Sequence, residues 1–307
     1  MDNKNVLITG GAGFIGSNLT KYIQEKYPTA KIVVLDKFFN GHFKNLIGFK
    51  GELIAGDISD IKIYEQLNNY KFDYIFHQAA ITDTTVLDQE KMINVNTNSF
   101  KEIIKMGYKI NSVIVYASSA AVYGNSPAPN KVGKGEIPEN VYGYSKYLLD
   151  QYVLQHKKRY PNNIIGLRYF NVYGPGELYK GKMSSMIYQL ALQMKAGKNP
   201  RIFKKGEQKR DFVYVKDIIQ ANIKAALSGK SGIYNVGCGK ARTFNDIISI
   251  LNTTMKTEFK TEYFDNPYDF YQDNTEADIS KTESDLDYTP EYNLEKGIED
   301  YYNNYLK

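Results

Sequence analysis

Short apolar runs that end in glycine, acidic or small polar residues recur along the first part of the chain: Val6-Leu-Ile-Thr, Lys31-Ile-Val-Val-Leu-Asp36, Glu52-Leu-Ile-Ala, Asp73-Tyr-Ile-Phe-His77 and Ser112-Val-Ile-Val-Tyr-Ala. Their hydrophobicity is continuous instead of alternating, which marks strands buried on both faces, as in a parallel sheet covered by helices on each side. Helical spacing fills the intervals, from Ser17 to about Tyr27 and again in the segment that Asn94 opens. Strand and helix in alternation predict an α/β fold, a Rossmann-like doubly wound parallel sheet whose ligands meet the carboxyl ends of the strands. Beyond Pro175 the pattern shifts to helices and loops rich in Lys, Tyr and Asn, with Asp211-Phe-Val-Tyr-Val and Gly232-Ile-Tyr-Asn-Val-Gly237 as further strand-like runs. The expected division is a Rossmann domain over residues 1–170 and a smaller substrate-binding lobe over 171–307, with segments near 210–238 returning to the first. No internal repeat or low-complexity linker interrupts it.

The first strand runs into Gly10-Gly-Ala-Gly-Phe-Ile-Gly16 and then a helix. Gly11, Gly13 and Gly16 fit the fingerprint in which glycines let the backbone approach a pyrophosphate while a helix N-terminus offers N–H donors and the positive end of its dipole. A purely structural glycine turn has the same spacing. The second strand, however, ends in Asp36, twenty positions beyond Gly16, where an acidic residue meets the ribose hydroxyls of an adenosine. Gly10, Gly13, Phe14, Ile15, Gly16 and Asp36 are therefore candidate dinucleotide contacts. Other strand ends add Asp57 and Ile58 toward the adenine, and Gln78, Ala79 and Ala80, where small side chains let a cofactor pass close to the backbone. For Asp57 an ordinary strand-end turn explains the residue equally well. Asn96 is placed to hold the strand-end loops, and His77 reads as a core histidine and not a catalyst.

Tyr142-Gly-Tyr-Ser-Lys146 sets a phenol and an amine four positions apart in a segment that continues as a helix, hence on one helix face. A free tyrosine has a pKa of ~10, and an ammonium held nearby favours the phenolate and lowers that value. The fifth strand brings Ser118 and Ser119 to the same sheet edge, where a hydroxyl donates to a substrate oxygen whose proton the tyrosine takes. Each signal alone is weak. A glycine fingerprint, a strand-end serine and a Tyr-x-x-x-Lys in this order describe one site assembled from separate strands.

Composition narrows the classes. The 307 residues, 42% hydrophobic and 24% charged, suit a soluble globular protein. A formal charge of +5 without a clustered basic run disfavours nucleic acid or a membrane surface as partner. Cys238 is the single cysteine, which excludes an intramolecular disulfide, and no Cys/His cluster has zinc-ligand spacing, so no metal is expected. The N-terminus enters a strand without a signal-like apolar stretch, which makes the cytoplasm the default location.

Over essentially its whole length the chain resembles the extended short-chain dehydrogenase/reductase family. The resemblance lies in Thr9-Gly-Gly-Ala-Gly-Phe-Ile-Gly16, Tyr116-Ala-Ser-Ser-Ala-Ala-Val-Tyr-Gly124, Tyr142-Gly-Tyr-Ser-Lys146, Arg168-Tyr-Phe-Asn-Val-Tyr-Gly-Pro175 and Arg210-Asp-Phe-Val-Tyr-Val-Lys-Asp217. It implies that Ser119, Tyr142 and Lys146 are catalytic, that Tyr144 points away from their helix face, that Val172 lies by the cofactor, and that Asn171 and Arg210 hold the diphosphate of a nucleotide sugar, with Thr82 beside the sugar. An arginine fork suits phosphate oxygens. The 4,6-dehydratases of the family resemble one another in an acidic pair at the positions of Ala120 and Ala121, whose absence here points to redox or epimerisation chemistry.

Within the family, His77 with Thr84-Thr85, Tyr179-Lys180-Gly181 after Asn171-Val-Tyr-Gly-Pro, Lys209-Arg-Asp-Phe, and Tyr271-Gln-Asp-Asn-Thr-Glu-Ala-Asp278 are similar to the nucleotide-linked heptose 6-epimerases. That similarity implies Lys180 as a second catalytic base and Tyr271 as a substrate contact. Lys182 replaces a small serine, Gln189 a substrate-side histidine, and Phe203-Lys-Lys-Gly206 a Phe-Glu-Gly-Ser stretch, so these positions carry altered substrate contacts. The expected function is a nucleotide-sugar epimerase acting through bound NADP, in a homo-oligomer. Asp36 alone favours NAD, because a carboxylate repels a 2′-phosphate, while Lys37 and Lys44 lie close enough in sequence to offset it. Another nucleotide-sugar epimerase or reductase, and a non-catalytic cofactor sensor, are the alternatives; a sensor would be expected to lose Ser119, Tyr142 or Lys146.

Overall fold

All five apolar runs of the first half form strands, and the inner ones are buried on both faces, Val6, Leu7 and Ile8 being each 0% accessible, whereas Glu52–Ala55 is an edge strand that buries Ile54 and leaves Leu53 exposed. In the computed structural model, which describes residues 1–265 and 273–307, the strands are β1 (Asn5–Thr9), β2 (Lys31–Asp36), β3 (Glu52–Ala55), β4 (Tyr74–His77), β5 (Val113–Ser119), β6 (Ile164–Tyr169), β7 (Asn171–Tyr173), β8 (Arg201–Phe203), β9 (Lys209–Tyr214), β10 (Gly232–Val236), β11 (Ala241–Thr243) and β12 (Glu262–Phe264). The helices are α1 (Phe14–Lys26), α2 (Ile61–Leu67), α3 (Gln89–Ile93), α4 (Ser99–Lys109), α5 (Val141–His156), α6 (Met186–Lys195), α7 (Val215–Leu227), α8 (Phe244–Met255), α9 (Ser280–Leu286) and α10 (Leu294–Tyr301).

Seven strands make one parallel sheet in the order β3-β2-β1-β4-β5-β6-β10. The winding reverses between β1 and β4, and this switch point opens a crevice at their carboxyl ends. Alternate residues of each strand feed two cores. Ile8, Val34, Phe76 and Val115 pack with α1 and α7, and Leu7, Val33, Ile75 and Ile114 pack with α2, α4 and α5. Truncating such a residue, Leu7→Ala for example, removes about 2–5 kcal/mol of stability.

Past β6 a third core gathers Tyr173, Tyr188, Tyr214, Ile247 and Ile298 beneath two small sheets, β11-β9-β7 and β12-β8. The chain returns to the main sheet at β10, which pairs with β6 from Gly232↔Ile165 to Val236↔Tyr169. One local expectation shifts. The helix expected to open at Asn94 begins earlier, because Asp88 caps α3 by accepting from the Lys91 amide at 3.0 Å, and Asn94–Asn98 form a wider turn inside a helical run. No helix among the described residues is long and apolar enough to cross a membrane.

Candidate active site

The crevice at the strand ends is a cleft of about 520 Å³. Its floor is the glycine turn. Gly10 has a φ of +69°, and a Cβ there would meet the Ala79 backbone nitrogen at 2.7 Å. At Gly16 a Cβ would come within 2.2 Å of the Gly10 carbonyl oxygen, so only glycine lets α1 start this close to the strand. Gly13 caps α1 with no side chain accepting the first amides, which leaves those N–H groups and the positive helix end facing the cleft that Gly10, Gly13, Phe14, Ile15 and Gly16 line. A turn with no side chain in the way and amides to spare fits a pyrophosphate.

Asp36 sits at the end of β2 in the same wall, its Oδ2 accepting from the Ala12 amide at 2.8 Å and its Oδ1 from Phe38 at 2.7 Å. Burial pushes its carboxyl up, and those amides pull it back. Lys37, also in the wall, pairs with Asp57 at 2.5 Å, and Ser59 adds two bonds to the same carboxylate. Ile58, Gln78, Ala79, Ala80 and Thr82 complete this side, and Gln78 Nε2 donates to Asn222 at 3.2 Å. Asn96 stands behind it: its Oδ1 accepts from the Ile81 amide at 2.8 Å and its Nδ2 donates to the Ile81 carbonyl at 2.9 Å. Lys44 lies on an exposed turn outside the walls. His77 shares a bond between Nδ1 and Thr9 Oγ1 at 2.8 Å, and burial with the Lys146 charge lowers it to about 3, a neutral core imidazole.

α5 starts where it does because the Asn140 side chain accepts from the Gly143 amide at 2.8 Å. Tyr142 and Lys146 thus stand one turn apart in the cleft wall while Tyr144 faces solvent. Alternation along β5 separates the two serines. Ser118 donates inward to Asp150 at 3.0 Å, and Ser119, whose hydroxyl accepts from the Ala121 amide at 3.1 Å, faces the cleft and acts to lower the Tyr142 phenol. Lys146, 2% exposed, donates to the Ala117 carbonyl at 2.8 Å. The expected lowering of the tyrosine does not emerge from the protein's groups alone: burial pushes the Tyr142 phenol up, with only Ser119 opposing, and burial brings Lys146 down to about 8. Desolvation outweighs the cation here because the ammonium is 5.9 Å from the ring centre.

Behind the pair lies a buried ionic hub that sequence reasoning does not reach. Arg168 bonds Asp150 at 2.8 Å, Glu136 at 2.5 Å and Tyr123 at 3.0 Å, and Tyr116 donates to Asp150 at 2.8 Å. It pins α5 to β5 and β6 one turn beyond Lys146. An acid four residues after the lysine is its one local signal.

The opposite wall comes from the later half of the chain. Asn171 and Val172 on β7 line the cleft with Phe212 and Phe244. Arg210 lies two residues before Phe212 on the same face of β9, 6.0 Å from the Phe244 ring, and is not itself a lining residue. Lys180 does line the cleft. It follows a tight bend in which buried Glu177 accepts from the Gly174 and Ser185 amides, and its ammonium is 5.2 Å from the Phe14 ring. Burial lowers Lys180, and Glu177 pulls the other way. Lys182 is exposed, and Gln189 donates to the carbonyls of Ser184 and Lys182, so both serve the bend and not the walls. Phe203 packs edge-on against Phe264 outside the walls, 5.8 Å between centroids. Tyr271 lies outside the described residues. No cluster of His, Cys, Asp and Glu suited to a metal occurs among the described residues.

Residues 6–237 match the model of the NAD dependent epimerase/dehydratase family. Among solved structures, ADP-L-glycero-D-manno-heptose-6-epimerase of Helicobacter pylori is 53% identical, with a TM-score of 0.94 over 98% of this chain and 95% of that one. UDP-N-acetylglucosamine 4-epimerase of Methanobrevibacter ruminantium, in complex with UDP-N-acetylmuramic acid, is 28% identical with a TM-score of 0.91 over 98% and 97%. UDP-glucuronic acid 4-epimerase of Bacillus cereus, in complex with UDP-glucuronic acid and NAD, is 26% identical with a TM-score of 0.85 over 97% and 98%.

Proposed function

The chain belongs to the NAD dependent epimerase/dehydratase family, and from that premise we propose that it is a nucleotide-sugar epimerase converting ADP-D-glycero-D-manno-heptose to its L-glycero epimer. The observation that carries this reading is that Tyr142 and Lys180, from opposite halves of the fold, line one cleft together with the glycine turn. The likeness to the Helicobacter pylori enzyme supports the sugar.

A bound nicotinamide dinucleotide supplies the acceptor and donor of hydride. Inverting a carbon requires hydride to leave one face and return to the other, so the oxygen on that carbon changes place between the two events. The oxidation needs a group that takes the hydroxyl proton at the first place, and the return of hydride needs a group that gives a proton to the new alkoxide at the second, the two roles exchanging in the reverse direction. Tyr142, with Ser119 beside it in the cleft wall, serves one, and Lys180, whose amine burial holds below its ordinary value, serves the other. Raised phenol and lowered amine both favour proton exchange with a sugar hydroxyl over permanent charge. Asn171 and Arg210 hold the diphosphate while the heptose end reorients about its own bond. We infer NADP as the dinucleotide, since the Asp36 oxygens are engaged by two amides and Lys37, paired with Asp57, brings a cation to the same wall.

Incubating the purified protein with ADP-D-glycero-D-manno-heptose and following the sugar signals by proton NMR tests the substrate; an unchanged spectrum after many protein equivalents refutes it. Mass spectrometry of nucleotide released by denaturation tests the cofactor, and NAD alone would overturn NADP.

A further inference from the structure

We propose that Tyr179 and His42 are positioning residues that fasten the Lys180 bend to the dinucleotide half of the protein. Their rings stack with centroids 3.8 Å apart and planes 7° from parallel. The two residues come from different layers. His42 precedes a short turn after β2 and donates its backbone N–H to the Ala12 carbonyl at 3.0 Å, so it is tied to the glycine turn. Tyr179 is the neighbour of Lys180 in the bend after β7.

Two further bonds run beside the stack. Asn18 of α1 donates to the Pro175 carbonyl at 2.7 Å, and Asn45 donates both to the Ala12 carbonyl at 3.1 Å and to Gly176 at 3.3 Å. These hold the start of the bend. The ring stack holds its far side, next to the amine. Space is open there: Gly181 has a φ of +55° with no heavy atom within 4 Å of where a Cβ would lie. Lys180 itself faces Phe14, a residue of the cofactor wall, at 5.2 Å. Since Phe14, Gly13 and Lys180 line the same cleft, the stack fixes both the place of the amine and the closure of the cleft over the glycine turn.

This inference rests on Lys180 being the second base, and its test separates the two. Tyr179→Ala should slow epimerisation on the order of tenfold or more with KM within about twofold, because displacing a catalytic group by an ångström is costly while binding contacts remain. Tyr179→Phe keeps the ring and should stay within about twofold of the unaltered protein. In a Lys180→Met background Tyr179→Ala should add nothing, since both changes act through one group. Independent multiplication of the two effects, or a normal rate in Tyr179→Ala, overturns the proposal.

Should the unaltered protein turn over no ADP-heptose, the substrate reading fails and the clasp is decided without sugar. Release of NADPH loaded onto the protein, followed by its dihydronicotinamide fluorescence after dilution, should then be about tenfold faster in Tyr179→Ala and His42→Ala but not in Tyr179→Phe or His42→Phe. Equal release from all of them overturns it.

Discussion

Lys146 Nζ lies 5.9 Å from the centre of the Tyr142 ring and spends a hydrogen bond of 2.8 Å on the Ala117 carbonyl. The ammonium is thus bonded to the main chain at the end of β5, one helical turn from the phenol. Burial has lowered Lys146 to about 8, so its charge is present at neutral pH and is lost as pH rises through that value. Epimerisation should accordingly decline above pH 8, and Lys146→Met should lack that limb and be at least about a hundredfold slower at pH 7. A rate that climbs steadily to pH 10 in the unaltered protein would show that the charge is not needed.

Two bases imply two comparable losses. Tyr142→Phe and Lys180→Met should each lower epimerisation at least about a hundredfold while dinucleotide binding and the thermal midpoint stay near normal. Near-normal turnover by Lys180→Met would instead favour Tyr142 serving both positions of the oxygen.

Much of this site is legible in the amino-acid sequence because its parts are local. A glycine run, an acid at the end of the next strand and a phenol one turn before an amine each sit within a few residues. What escapes is what long-range packing assembles. Arg168 and Asp150 are eighteen positions apart and Glu136 lies on a loop, and nothing local says their charges converge without water. The His42–Tyr179 stack joins segments with no shared periodicity. Lys44, eight positions beyond Asp36, lies on an exposed turn and does not line the cleft, a placement that depends on how the turn folds over the glycine run. The upward direction of the Tyr142 shift is likewise hidden from sequence, because desolvation depends on the finished fold.

The glycine floor allows a contrast. Gly16→Ala places a methyl group 2.2 Å from the Gly10 carbonyl oxygen and should weaken dinucleotide binding at least about tenfold, with about 1–3 kcal/mol of lost stability. Gly133→Ala, at a φ of +83° with open space around it, should strain its own loop and leave dinucleotide affinity unchanged by titration calorimetry. Equal affinities for both variants would remove the pyrophosphate from this turn.

Asp211 offers a test in mild acid. Its buried carboxylate accepts from the amides of Cys238 at 2.7 Å, Gly239 at 2.9 Å and Ala277 at 3.0 Å, and burial still pushes it up to about 6. A raised folded pKa contributes stability that is full below the ordinary value near 3.8 and lost as pH rises through 6, on the order of 3 kcal/mol. Asp211→Asn keeps an acceptor but not the charge. Urea midpoints between pH 4.5 and 7 should therefore fall less steeply for the variant; parallel slopes would show that Asp211 stays ionised throughout.

The pairing of β10 with β6 bears on how the protein is made. As the chain leaves the ribosome, β6 has its inner neighbour β5 but must wait for Gly232 before its outer edge is covered. Throughout that interval the six buried residues Ile164–Tyr169 present an unpaired row of N–H and C=O groups, the kind of edge that invites pairing with another chain. Substitutions that slow folding of the intervening segment should therefore appear first as poor yield and aggregation during synthesis, before any loss of stability in the finished molecule.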